Sequence, residues 1–213
     1  MKKSILTFVF AIVMMAGFSQ SDKYLQSMKA GIEEISETET HTDMLALANR
    51  FERIAGAEND QWLPWYYAAY CNTLACFMGM DISKVDQQLE KAQAALDKSR
   101  ELETENDEIE VMQGFIYQAG IIVDPQSRGY SYSTKSNTAF TKAKSINPDN
   151  PRVYFLEAQN LLNTPAAYGG GPEVACPKYK LAAEKFATFK PESKIAPAWG
   201  EEMNEGMMEQ NCK

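Results

Sequence analysis

Apolar residues recur along this chain with the period of an amphipathic helix, and the alternation expected of strands is essentially absent. Tyr24, Leu25, Met28, Ile32 and Ile35 mark a first helix, closed by the polar run 36–42. Met44, Leu45, Ala48, Phe51, Ile54 and Ala55 mark a second, ending at Gly56. The third, over 61–77, is dense in aromatic residues (Trp62, Trp65, Tyr66, Tyr67, Tyr70, Phe77), with Pro64 in its first turn, where a missing N–H costs nothing. Val85, Leu89, Ala92, Leu96 and Leu102 predict a fourth helix with Ser83 as its N-cap. A fifth follows Asn106 or Asp107 and runs to Val123, its Glu108 and Glu110 matching the positive end of the helix dipole. The stretch 124–133 has no helical period and reads as a loop. Helices are then predicted over 134–145, from Pro151 through Leu162, and over 173–189, with a second long loop at 164–172 containing Gly169, Gly170 and Gly171. Met203, Met207 and Met208 stand at helical spacing in an acidic tail that would cap the last helix.

One spacing recurs. Ala92, Leu96, Ser99 and Thr104 are four, three and five residues apart; Ser136, Phe140, Ala143 and Pro148 repeat those steps, and Ala175, Tyr179 and Ala182 repeat the first two. Ala48, Glu52, Ala55 and Asp60 keep the same steps without the aromatic. A repeat of this kind predicts an all-α array of helix pairs, each completing its core against its neighbours. The expected organisation is a signal peptide at 1–19 and a single helical domain at 20–213. Within that domain 20–60 form a degenerate first pair, 61–105, 106–150 and 151–190 form three repeats, and 191–213 form a C-terminal cap.

The leader reading rests on Lys2 and Lys3, the apolar stretch from Ile5 to Met15, and small residues at Gly17 and Ser19, with cleavage before Gln20. No cysteine follows to carry a lipid, and the apolar stretch is short for a permanent anchor, so a periplasmic or secreted protein without stable membrane insertion is expected. Losing Lys2 and Lys3 takes the formal net charge from −8 to −10. With no basic cluster to neutralise phosphates, nucleic acid is a poor partner. Of the four cysteines, Cys71 and Cys76 point to different faces of one helix. Either Cys176 and Cys212 staple the C-terminal extension to the last repeat, or all four are small buried hydrophobes.

At the level of individual residues the chain resembles the tetratricopeptide family of helix-turn-helix repeats. Trp65 and Ala69 match its Trp and Gly positions in one repeat, Gly114 and Tyr117 its Gly and Tyr positions in the next, and Tyr154 and Ala158 stand in the last. Compared with a standard repeat, the paired helices here carry 11, 10 and 5 surplus residues between them. The resemblance implies a short solenoid of about four helix pairs with a C-terminal capping segment. It also implies a concave face lined by the first helices, on which Tyr66, Tyr70, Glu108, Gln118, Arg152, Gln159 and Asn163 fall. Rings and amides of that kind suit a peptide or a small polar ligand, the other reading being that Tyr66 and Tyr70 pack between helices. In the loops, Arg128 beside Tyr130 and Tyr132 could face an anion, and Tyr168 precedes three glycines that would let a backbone approach a ligand; alternatively Arg128 ties its loop to a helix end.

Catalytic chemistry finds no footing in these residues. His41 stands alone, the acidic run 101–110 lacks the spacing of a calcium loop, and no nucleophile or zinc motif is present. The sequence therefore predicts no cofactor, no metal and no enzyme. The first expectation is a protein- or peptide-binding scaffold or adaptor in the cell envelope; the alternative is a periplasmic small-ligand-binding protein, accessory to a solute transporter.

Overall fold

The computed structural model describes residues 22–212, so the leader expected at 1–19 lies outside the described residues. Every regular element among them is helical: α1 (22–37), α2 (His41–Ala57), α3 (Trp62–Ala75), α4 (Ile82–Leu102), α5 (Asp107–Ile121), α6 (Pro125–Ile146), α7 (Pro151–Asn163), a single 3-10 turn at Ala166–Tyr168, α8 (Pro172–Phe186) and α9 (Glu201–Asn211).

Local chemistry sets most of these boundaries. The Thr40 hydroxyl caps α2 by accepting from the Asp43 amide, Asp81 caps α4 through the Ser83 amide, and Asn106 caps α5 through the amides of Glu108 and Ile109. Asn150 caps α7 immediately before Pro151, whose fixed φ suits the first helical position. The same device accounts for a correction. The stretch 124–133, read as a loop, is the start of α6: Asp124 caps it through the Ser127 amide and Pro125 opens it.

Consecutive helices pack as hairpins, α3 on α4, α5 on α6 and α7 on α8, while α5 touches both α3 and α7 along an inner face. Small residues let aromatic rings into the seams. A Cβ at Gly114 would lie 2.1 Å from the Phe140 ring, and one at Gly31 would lie 2.9 Å from the Phe51 ring. The Ser136 hydroxyl donates to the Gly114 carbonyl beside it, at 3.0 Å. Central α3 buries nearly its whole circumference, as a helix covered by neighbours on several sides must.

Beyond α8 the chain does not simply cap the end. The strap 187–200 runs back along the inner face, with Ile195 and Pro197 buried and Trp199 partly so. Gly200, in the left-handed region at φ 110°, then turns it into α9, which packs on α8. A Cys176–Cys212 disulfide closes this C-terminal excursion, with the Cα atoms 5.5 Å apart. Cys71 and Cys76 are free and buried.

Candidate functional site

Four of the residues expected on an open inner face come together, but beneath the strap. The Trp199 indole stacks on Tyr70 with centroids 4.8 Å apart, and its N–H donates to the Tyr66 hydroxyl at 2.9 Å. Tyr66 in turn donates to the Glu108 carboxylate at 3.3 Å. Arg152, with no exposed surface, directs Nε to both Glu108 oxygens (2.9 and 3.0 Å) and Nη2 to one of them. Its Nη1 reaches the Trp199 carbonyl at 3.4 Å, and its guanidinium lies 4.5 Å from the Phe189 ring centre. Asn150 adds a further donor to Glu108 at 2.7 Å. Burial lifts the Glu108 carboxyl above its ordinary range against the pull of Arg152, whereas for Arg152 burial is outweighed by Glu108 and the guanidinium stays charged.

This arrangement corrects the expectation that Tyr66, Tyr70, Glu108 and Arg152 offer contacts to a partner. They join α3, α5 and α7 to the chain's own C-terminal segment. Gln118 is also buried and donates to the Leu156 carbonyl at 2.7 Å, binding α5 to α7. Gln159 is half-buried, and the exposed Asn163 donates to its carbonyl one turn back.

The two loop candidates lie elsewhere. Arg128 stands near the start of α6 and holds Asp86 of α4 through two hydrogen bonds of 2.6 and 2.8 Å, which also hold the Asp86 carboxyl below its usual range. It is therefore a tie between helices rather than a free anion contact. Tyr168 ends the short 3-10 turn and is 82% exposed. Neither residue borders the cavities described next.

Two cavities flank the strap where it crosses the helix ends. The smaller, about 340 Å³, lies between Trp62, Phe189, Pro191 and Pro197, with Lys185 and Glu108 also on its walls. The larger, about 900 Å³, opens between α1, the α2–α3 turn and strap residues 193–195. Its apolar lining comes from Tyr24, Leu25, Leu63 and Ile195, and its polar rim includes Glu58, Asp60 and Lys194. Sequence reasoning assigned Tyr24 to the packed face of α1 and missed the cavity. The wall opposite α1 is the strap, and nothing in the local pattern says where an extended segment will land.

Five tyrosines, at positions 24, 66, 67, 70 and 179, are buried, and burial raises each phenol above its ordinary value near 10, Tyr24 to about 12. Between pH 10 and 12 the unfolded chain loses phenol protons that the folded chain keeps, so stability falls as pH rises through that window. The melting temperature should show no tyrosine-linked decline below about pH 10 and should drop above it together with the appearance of tyrosinate absorbance near 295 nm. A melting temperature that stays level to pH 12 would contradict this.

No family model and no curated protein matches the chain. Among solved structures it is similar to the HusA haemophore from Porphyromonas gingivalis, with 32% sequence identity and a TM-score of 0.79; the match covers 88% of this chain and 92% of that one. No helix among the described residues is long and apolar enough to cross a membrane.

Proposed function

The chain belongs to the family of the HusA haemophore, and from that premise we propose that it is an exported, non-enzymatic carrier of haem or a similar planar tetrapyrrole. The observation that carries this reading is a likeness spanning nearly the whole of both chains at 32% identity, with α-helical architecture throughout. Two features of the chain support it over the peptide-adaptor reading. The inner face, where a solenoid would seat a peptide, is already covered by residues 187–200, held there by Trp199 and Arg152. The larger cavity, about 900 Å³ and lined by both apolar and polar groups, has the volume of a small-molecule site. The repeated seams of small residue against aromatic ring, Gly114 on Phe140 foremost, support a tetratricopeptide-like array as the scaffold for this carrier.

Titration of residues 20–213, disulfide intact, with ferric haem tests the reading. The expected result is a saturable shift of the Soret band at one equivalent of haem. Absorbance that only follows free haem at every protein concentration would overturn it.

A further inference from the structure

Phe77, just past the end of α3, is a large ring left 45% exposed, yet its place is set by a neighbour. It lies on Phe115 with centroids 5.4 Å apart and planes 15° from parallel. Phe115 in turn sits 5.8 Å from the Trp199 indole, which stacks on Tyr70. The four rings make one continuous series that begins under the strap and comes to the surface at Phe77. Tyr70 and Phe115 are covered. The accessible part of the series is the edge of Trp199 left partly exposed and the side of Phe77 turned away from Phe115.

The turn that follows is apolar where turns are ordinarily polar. Met78 and Met80 are partly exposed, Ile82 is 49% exposed, and Gly79 between the methionines takes the left-handed conformation (φ 76°) that bends the chain. Single apolar side chains scattered over a surface need no explanation, but a run of them backed by a stack of rings marks a contact surface. Charge around this turn is balanced. Asp81 accepts from the Ser83 amide and hydroxyl and has Lys84 beside it, and Asp86 is held by Arg128. On the rim of the larger cavity, by contrast, Glu58 and Asp60 stand against Lys194, which opposes a ligand that carries carboxylates. A flat, conjugated, apolar ring system is what the turn takes best: stacked on Phe77 it adds one member to the series, while thioethers and an aliphatic side chain cover its edge.

We propose that the tetrapyrrole of this carrier docks on the α3–α4 turn, stacking on Phe77 with Met78, Met80 and Ile82 around it. The assignment rests on the carrier reading above and adds the location and the contact chemistry.

The test is a ferric haem titration of residues 20–213, followed at the Soret band, for the parent and four variants. Phe77→Ala removes the outer ring and should weaken binding about threefold to tenfold, whereas Phe77→Tyr keeps the stack and should bind like the parent. Ile82→Glu sets a carboxylate at the first position of α4, where the helix dipole favours it. Its melting temperature should therefore hold while its affinity for haem falls about threefold to tenfold, which separates a lost contact from a damaged fold. Leu25→Ala, 44% exposed at the mouth of the larger cavity, should leave binding unchanged. Parent binding with Phe77→Ala and Ile82→Glu both within experimental error of it would overturn the location and leave the carrier reading standing. So would a loss at Leu25→Ala as large as that at Phe77→Ala. A parent that binds no haem would overturn the carrier reading, and the site assignment with it.

Discussion

Replacing Arg152 with alanine should cost about 3–5 kcal/mol of folding stability, because the change strands a buried carboxylate. Arg152 has no exposed surface and supplies most of the hydrogen bonds that hold Glu108, itself 8% exposed. With the guanidinium gone, only Asn150 and Tyr66 remain to stabilise the charge, and burial already lifts the carboxyl above its ordinary range. Glu108 of the variant would bind a proton more readily, so the deficit should shrink as the pH is lowered from 8 to 5. For a chain of this length the loss corresponds to a melting temperature lower by roughly 10 °C. Urea denaturation of Arg152→Ala beside Arg152→Met with Glu108→Leu checks the mechanism. The double variant, which buries no charge, should recover most of the loss, and a single variant within about 1 kcal/mol of the parent would refute the argument.

The second large effect belongs to Trp199. Its indole lies against Tyr70 and Phe115, with centroids 4.8 and 5.8 Å away, and its N–H finds the Tyr66 hydroxyl. Truncating a fully buried Trp to alanine typically costs about 3–5 kcal/mol. This one is only partly buried, so Trp199→Ala should cost about 2–3 kcal/mol. The loss falls on the strap first. What then holds the strap to α3 is Ile195, whose carbonyl accepts from the Tyr67 hydroxyl at 3.2 Å, and the buried Pro197. Because Ile195 and Lys194 also wall the larger cavity, the variant should loosen that wall as well as the strap. Urea denaturation reads the loss; a change below about 0.5 kcal/mol would mean that the strap docks without its indole.

What could be read from the sequence follows from how local each signal is. The helices α2, α4, α5 and α7 are visible because their apolar stripes have the helical period, and the starts of α5 and α7 carry Asn106 and Pro151. The sequence pattern puts the cap of α4 two residues late, at Ser83, whereas Asp81 caps it by accepting from the Ser83 amide. The start of α6 was hidden because residues 125–135 contribute no fully buried side chain, so they carry no stripe; the signal available was the Asp124–Pro125 cap. The strap was hidden for a different reason. Ile195, Pro197 and Trp199 stand at alternate positions of an extended segment, which says that one side of it is covered but not by what. Their partners, Tyr66, Tyr67 and Tyr70, lie more than 120 residues earlier. The inner-face residues were thus placed on the right face and given the wrong neighbour. The cavity beside Tyr24 inherits the same difficulty, since one of its walls is that segment.

The bridge between Cys176 and Cys212 has a consequence for how the protein endures among proteases. Residues 190–194 of the strap are exposed and extended or turn-like, the kind of backbone at which a peptidase cuts. Any single cut between the two cysteines leaves both pieces on one covalent framework. The severed end of the strap then stays in the neighbourhood of its groove at high effective concentration, able to settle back, instead of diffusing away. One nick therefore does not amount to the loss of a wall.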